Sequence, residues 1–146
     1  MTFQSDLFNN SEERDYFINP DCFGDDVCKF VIEKLSSAGI DCDKAPRQED
    51  WGWYFRFQFG SQKYTFNCSF RPDCGEESGD QAWICFLECV ERCLPVFHKP
   101  KKDIPLDAVK EIHLALASTD NIFDIKWHES REFDKNNEES GVNSPC

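Results

Sequence analysis

Rings recur with a period of two through the middle of the chain. Trp51, Trp53, Phe55, Phe57 and Phe59 alternate with Gly52, Tyr54, Arg56 and Gln58. After Gly60-Ser61-Gln62, Tyr64, Phe66, Cys68 and Phe70 alternate with Lys63, Thr65, Asn67 and Ser69. Successive strand residues point to opposite faces, so this pattern predicts a hairpin with one buried and one polar face. A slip of one residue would carry all five rings of the first run into water, which fixes the register. Trp83-Ile84-Cys85-Phe86-Leu87 is apolar on both faces and predicts an interior strand continuing toward Val90. Phe123, Ile125 and Trp127 alternate with Asp124, Lys126 and His128, which predicts a last half-buried strand.

Helical spacing flanks these runs. Val27, Val31, Leu35 and Ala38 form one stripe, predicting a helix from about Asp25 to Ala38 with Asp25 or Asp26 at its N-terminus. Gly39 is placed to take the left-handed conformation after it. Ile40-Asp41-Cys42 can start a short strand before Pro46. Val109, Ile112 and Leu116 give the stripe of a second helix, starting near Asp103 to Pro105 and running through Ala117. The resulting order, α-(β)-β-β-β-α-β, predicts an α+β fold. The expected arrangement is a two-layer sandwich, with a mostly antiparallel sheet of four to five strands carrying two helices on one face. Residues 22–129 would form this single domain. Residues 1–21 read as a polar, acidic arm anchored by Phe3, Phe8, Tyr16, Phe17 and Ile18. Residues 130–146 hold too little apolar material to pack and read as a disordered tail.

Composition narrows the function classes. The 146 residues include 14 Phe, enough for a ring-rich core in one domain. With 28 acids against 16 bases the net charge is -12, a field that repels nucleic acid and draws in basic proteins. No basic segment followed by an apolar run opens the chain, and no stretch approaches the roughly 18–20 apolar residues a membrane span needs. The expectation is a soluble, cytoplasmic protein without nucleic-acid or membrane partners. The cysteine count of nine is odd, and several cysteines occupy apolar positions of regular elements, so free buried thiols are expected.

Candidate chemistry is sparse. Cys85, Cys89 and Cys93 recur every four residues, but strand positions four apart lie ~13 Å apart and cannot share one ion. A site joining Cys93 and His98 would need further ligands such as Cys74 or Cys22. Cys74 has Asp73, Glu76 and Glu77 as neighbours, which oppose thiolate formation. His98, His113 and His128 stand near no sequence partner that suggests a triad. No phosphate-cradling glycine loop, HExxH, nucleophile elbow or EF-hand pattern occurs, and no cofactor is expected.

Surface recognition is the remaining class. Glu49, Asp50, Glu76, Glu77 and Asp80 would offer acids to a basic protein, with Tyr54 beside them. Tyr54, Ile84 and Phe86 are candidates for an exposed apolar spot, unless Phe8 or Tyr16-Phe17 of the arm covers it. Small acidic domains with these properties include immunity proteins and inhibitors that neutralise toxins or nucleic-acid-acting enzymes, an analogy of properties only. The alternatives are a small enzyme with a site assembled from distant residues, using Cys74 or a histidine, and a thiol- or zinc-dependent regulator.

Overall fold

The computed structural model describes residues 1–72, 82–90, 103–136 and 141–145. Its elements in chain order are β1 (Thr2–Ser5), α1 (Asp25–Ser37), β2 (Asp41–Cys42), β3 (Arg47–Glu49), β4 (Gly52–Phe59), β5 (Gln62–Phe70), β6 (Trp83–Cys89), α2 (Leu106–Leu116), β7 (Ile122–Lys126) and α3 (Ser130–Asn136). The fold is α+β. Seven strands form one sheet, more than the four to five expected, in the order β2-β4-β5-β6-β1-β7 with β3 also on β4. Every pairing is antiparallel.

The alternating rings make the centre of this sheet. Phe55 lies opposite Phe66, Phe57 opposite Tyr64 and Trp53 opposite Cys68, all buried. The Phe55 and Phe66 rings meet at 5.3 Å and the Phe57 and Tyr64 rings at 5.6 Å, the separations at which aromatic pairs attract. A two-residue turn closes the hairpin, with Gly60 at φ 60°, the left-handed geometry that glycine supplies at the first position of such a turn. Val27, Val31 and Leu35 of α1 and Ala108, Ile112 and Leu116 of α2 complete the same buried cluster. Gly39, at φ 81°, ends α1 as expected, and the Ile40 N–H returns to the Leu35 carbonyl at 3.0 Å.

Four expectations change. Residues 2–5 of the supposed arm form β1, which lies between β6 and β7. Phe3 is fully buried and stacks on Trp83 at 6.2 Å. A four-residue strand is too short to show a period, and its partners lie far along the chain, so burial in the finished sheet decides it. At the other end, Ser130–Asn136 is helical, and Trp127 and Val142 exchange backbone hydrogen bonds of 2.7 and 2.9 Å. In β7 the buried residue is Ile122, while Phe123 is exposed. Asp124 takes φ 54° there and the pairing with β1 is irregular, so the alternation shifts and Ile125 and Trp127 still face the core. Trp51, finally, precedes β4 instead of joining it and stands outside the core.

Asp25 does not cap α1, whose N-cap is Gly24. Its fully buried carboxylate accepts three hydrogen bonds on Oδ2: from Arg14 Nη1 at 2.8 Å, Tyr16 OH at 2.6 Å and Lys29 Nζ at 2.8 Å. These bonds hold the segment before α1 against the helix. Burial alone would raise the Asp25 carboxyl, but the bonds from Lys29 and Tyr16 and the charges of Lys29 and Arg14 outweigh it and hold the group below its ordinary value. A carboxyl lowered in the folded state adds stability that is complete above about pH 5 and lost as pH falls through the folded value. Asp25→Asn is therefore expected to cost about 1–3 kcal/mol in urea unfolding at neutral pH. The gap to the parent should close between about pH 5 and about pH 2, and a gap constant over that range would contradict the role given to Asp25.

Candidate protein-binding surface

The face of the sheet opposite the ring-lined core carries Tyr54, Arg56, Thr65, Asn67, Ile84, Phe86 and Glu88, since these alternate with the buried positions. Cross-strand register sets Arg47, Tyr54, Asn67 and Phe86 in one row. Asn67 is buried there, and its Nδ2 donates to the Phe86 carbonyl at 3.2 Å and to Glu88 Oε2 at 3.4 Å. The amide is thereby satisfied under a partly apolar cover.

Trp51 completes this surface. Its ring lies 5.3 Å from that of Phe86, and the two residues are 44% and 41% exposed. Gly52 permits the approach of the β4 start to β5, because a Cβ there would run into the Cys68 carbonyl oxygen. A Cβ on Gly24, at φ 140°, would meet the same carbonyl oxygen, so the start of α1 and the start of β4 converge on Cys68.

Glu49 and Asp50, both exposed, directly precede Trp51. Their positions follow from a clamp around Gln48. Gln48 Nε2 donates to the Asn19 carbonyl at 2.8 Å, and the amides of Ile18 and Asn19 donate to its Oε1. Asn19 Nδ2 donates in turn to Asp50 Oδ1 at 3.1 Å. Trp53 Nε1 donates to the Cys22 carbonyl at 2.7 Å, fixing the same segment from the core side. Acids therefore border the aromatic pair at one end. Arg47 and Arg56 are exposed beside Tyr54, so Tyr54 itself has basic neighbours.

Of the residues expected at a binding surface, cross-strand register sets Glu49 and Tyr54 on one side of the sheet, and Asp50 stands in the adjoining turn with its carboxylate bonded to Asn19. Glu76, Glu77 and Asp80 lie outside the described residues, as do Cys74, Cys93 and His98. Ile84 is half-buried and Phe86 exposed on that side, as expected for an apolar spot. The arm does not close it through the residues considered for that role. Phe8 packs on Phe3, Phe30 and Trp83 at the core, while Phe17 and the exposed Tyr16 pack on Trp53. Sequence periodicity missed Trp51, which it assigned inward. The one available signal was Gly52, where a glycine at a strand's first position marks a close backbone approach.

Among the described residues, buried thiols and two imidazoles have structural surroundings. Burial pushes the Cys28 and Cys68 thiols well up and Cys42 to about 11, away from a reactive thiolate. His113 Nδ1 accepts from Trp127 Nε1 at 3.2 Å, and His128 Nε2 lies 2.9 Å from Thr2 Oγ1. Among the described residues, no three His, Cys, Asp or Glu side chains converge as metal ligands would. No helix among them is long and apolar enough to cross a membrane. Comparison with protein-family models, with curated proteins and with solved structures finds no match for this chain.

The placement of the rings has a direct consequence for stability. Trp51→Ala and Phe86→Ala should each cost about 1 kcal/mol, the scale of one exposed aromatic pair. Phe55→Ala should cost about 3–5 kcal/mol, since it empties a core position. Chemical denaturation of the three variants checks this, and a Trp51 loss as large as that at Phe55 would place Trp51 in the core.

Proposed function

We propose that this chain is a non-enzymatic binding domain that uses the sheet face bearing Trp51 and Phe86 to hold a basic protein. One observation carries the reading: two large rings meet at 5.3 Å in a tilted pair in the open, and Glu49 and Asp50 directly precede the first of them. Interface centres are enriched in aromatic side chains with a polar rim, and tryptophan is prominent among residues that dominate binding energy. Here Trp51 and Phe86 supply area to be desolvated. Glu49 and Asp50, with the net charge of -12, supply steering toward a positively charged partner. A toxin or a nucleic-acid-acting enzyme, held inactive by the complex, is the partner class this chemistry suits.

The test is affinity capture from an extract of the source cells at about 50 mM and about 300 mM salt, between which the screening length falls from about 14 Å to about 6 Å. The parent should retain a basic protein at low salt. Trp51→Ala/Phe86→Ala should reduce its recovery about tenfold or more, as expected when a hot spot is truncated. Glu49→Gln/Asp50→Asn should slow association and flatten the salt dependence. Recovery of the same proteins by the parent and both variants would refute the assignment of this surface.

A further inference from the structure

Two thiols meet across the strands on the core face of the sheet. Cys68 of β5 lies opposite Cys85 of β6, and both are buried. The pairs on either side of them on this face are Phe66 with Leu87 and Phe70 with Trp83, so the cysteines form a small pair between large ones. The start of α1 closes over them. A Cβ on Gly24 would stand 3.5 Å from Cys68 Sγ, and Cys28 is fully buried in the same cluster. The Cys68 thiol lies within hydrogen-bonding reach of Cys85.

The kind of pairing matters as much as the register. The Val90 N–H donates to the Lys63 carbonyl at 2.9 Å, from β6 toward β5. Backbone groups alternate sides along a strand, so Glu88, Phe86 and Ile84 also bond toward β5, while Leu87 and Cys85 turn away. The Cys85 N–H accordingly donates to the Met1 carbonyl at 2.8 Å, on the other side of β6. Cys68 and Cys85 are therefore a non-hydrogen-bonded pair. In such pairs the opposite Cα atoms approach to about 4.5 Å and the side chains come closest. That separation falls within the roughly 4.4–6.8 Å over which a disulfide forms without backbone movement.

We propose that Cys68 and Cys85 are a dithiol modification site, which closes into a cross-strand disulfide by exchange with a small-molecule disulfide such as oxidised glutathione. The Cys68 thiol loses its proton and attacks one sulfur of that disulfide, which releases one glutathione thiolate and leaves a mixed disulfide on Cys68. The Cys85 thiol then loses its proton and attacks Cys68 Sγ, which releases the second glutathione thiolate. Two protein thiols are oxidised to one disulfide, one glutathione disulfide is reduced, and the two protons pass to the two glutathione thiolates. Burial of both sulfurs confines the exchange to moments when the strands part, so its rate follows opening of the sheet. The finished bond ties β5 to β6 and removes freedom from the unfolded chain, which stabilises the fold.

The test equilibrates the full chain with reduced glutathione in about tenfold excess over the oxidised form, without urea and with about 1 M urea to promote opening. Free thiols are then blocked with iodoacetamide, and chymotryptic peptides are identified by mass. A linked peptide joining Cys68 to Cys85 should accumulate, about fivefold faster or more in the urea. The oxidised protein should unfold at a higher urea concentration than the reduced one, by a shift that corresponds to about 100-fold in the folding equilibrium. Cys85→Ala should lose both the linked peptide and the shift, and Cys28→Ala should keep both. If Cys85→Ala does not fold, the peptide map and the unfolding midpoints of the parent decide the matter. Cys68 and Cys85 both found blocked by iodoacetamide after equilibration in urea, a bridge from either of them to Cys28, or an oxidised parent no more stable than the reduced one would each overturn the proposal.

Discussion

The pairing of β4 with β5 in one register is the constraint from which the remaining arrangement follows. It sets Trp53, Phe55 and Phe57 against Cys68, Phe66 and Tyr64 on the face that α1 and α2 cover. The same pairing sets Tyr54 against Asn67 on the other face, and β6 adds Phe86 beyond it. A shift by one residue would drive Arg56 and Asn67 into the core and put Phe55 and Phe66 in water, costing several kcal/mol for each misplaced side chain. Core and outer surface are thus two consequences of one choice.

The segment before α1 belongs to that arrangement as much as the strands do. Arg14 and Lys29 neutralise the buried Asp25 and Tyr16 donates to it, while Gln48 and Trp53 bind the backbone at residues 18–22. The contacts tie the buried end of α1 to the turn that presents Glu49, Asp50 and Trp51. An acidic, aromatic surface set on a strand end and held by side-chain amides is more rigid than one carried on a free loop, which lowers the ordering cost of binding.

Legibility in the sequence tracked the length of the periodic signal. The runs 51–59 and 63–70 and the stripes of α1 and α2 repeat often enough to declare element and face, and the α+β class followed. β1 and β3 have only four and three residues, and their pairing energy comes from strands that no local pattern announces, so the strand count came out low, whereas the short β2 was expected at Ile40-Asp41-Cys42. Asp25 and Asp26 were legible as acids that suit the start of α1, and both lie in its first turn, yet the three donors that claim Asp25 come from Arg14, Tyr16 and Lys29, which no local rule connects. Trp51 followed the period of two on paper and left it in the fold, because the strand begins only at Gly52. On the candidate surface, Glu49, Asp50, Tyr54 and Phe86 were legible as acids and as an apolar spot, whereas its most exposed ring was not.

Trp51 lies outside the core while Trp53 and Trp83 lie inside it. Acrylamide quenching of tryptophan emission separates the two, because the quencher reaches only indoles open to solvent. Trp51→Phe should remove most of the quenchable emission, and Trp83→Phe should leave that quenchable part in place. If quenching survives in Trp51→Phe and disappears in Trp83→Phe, the sheet has been assigned the wrong face.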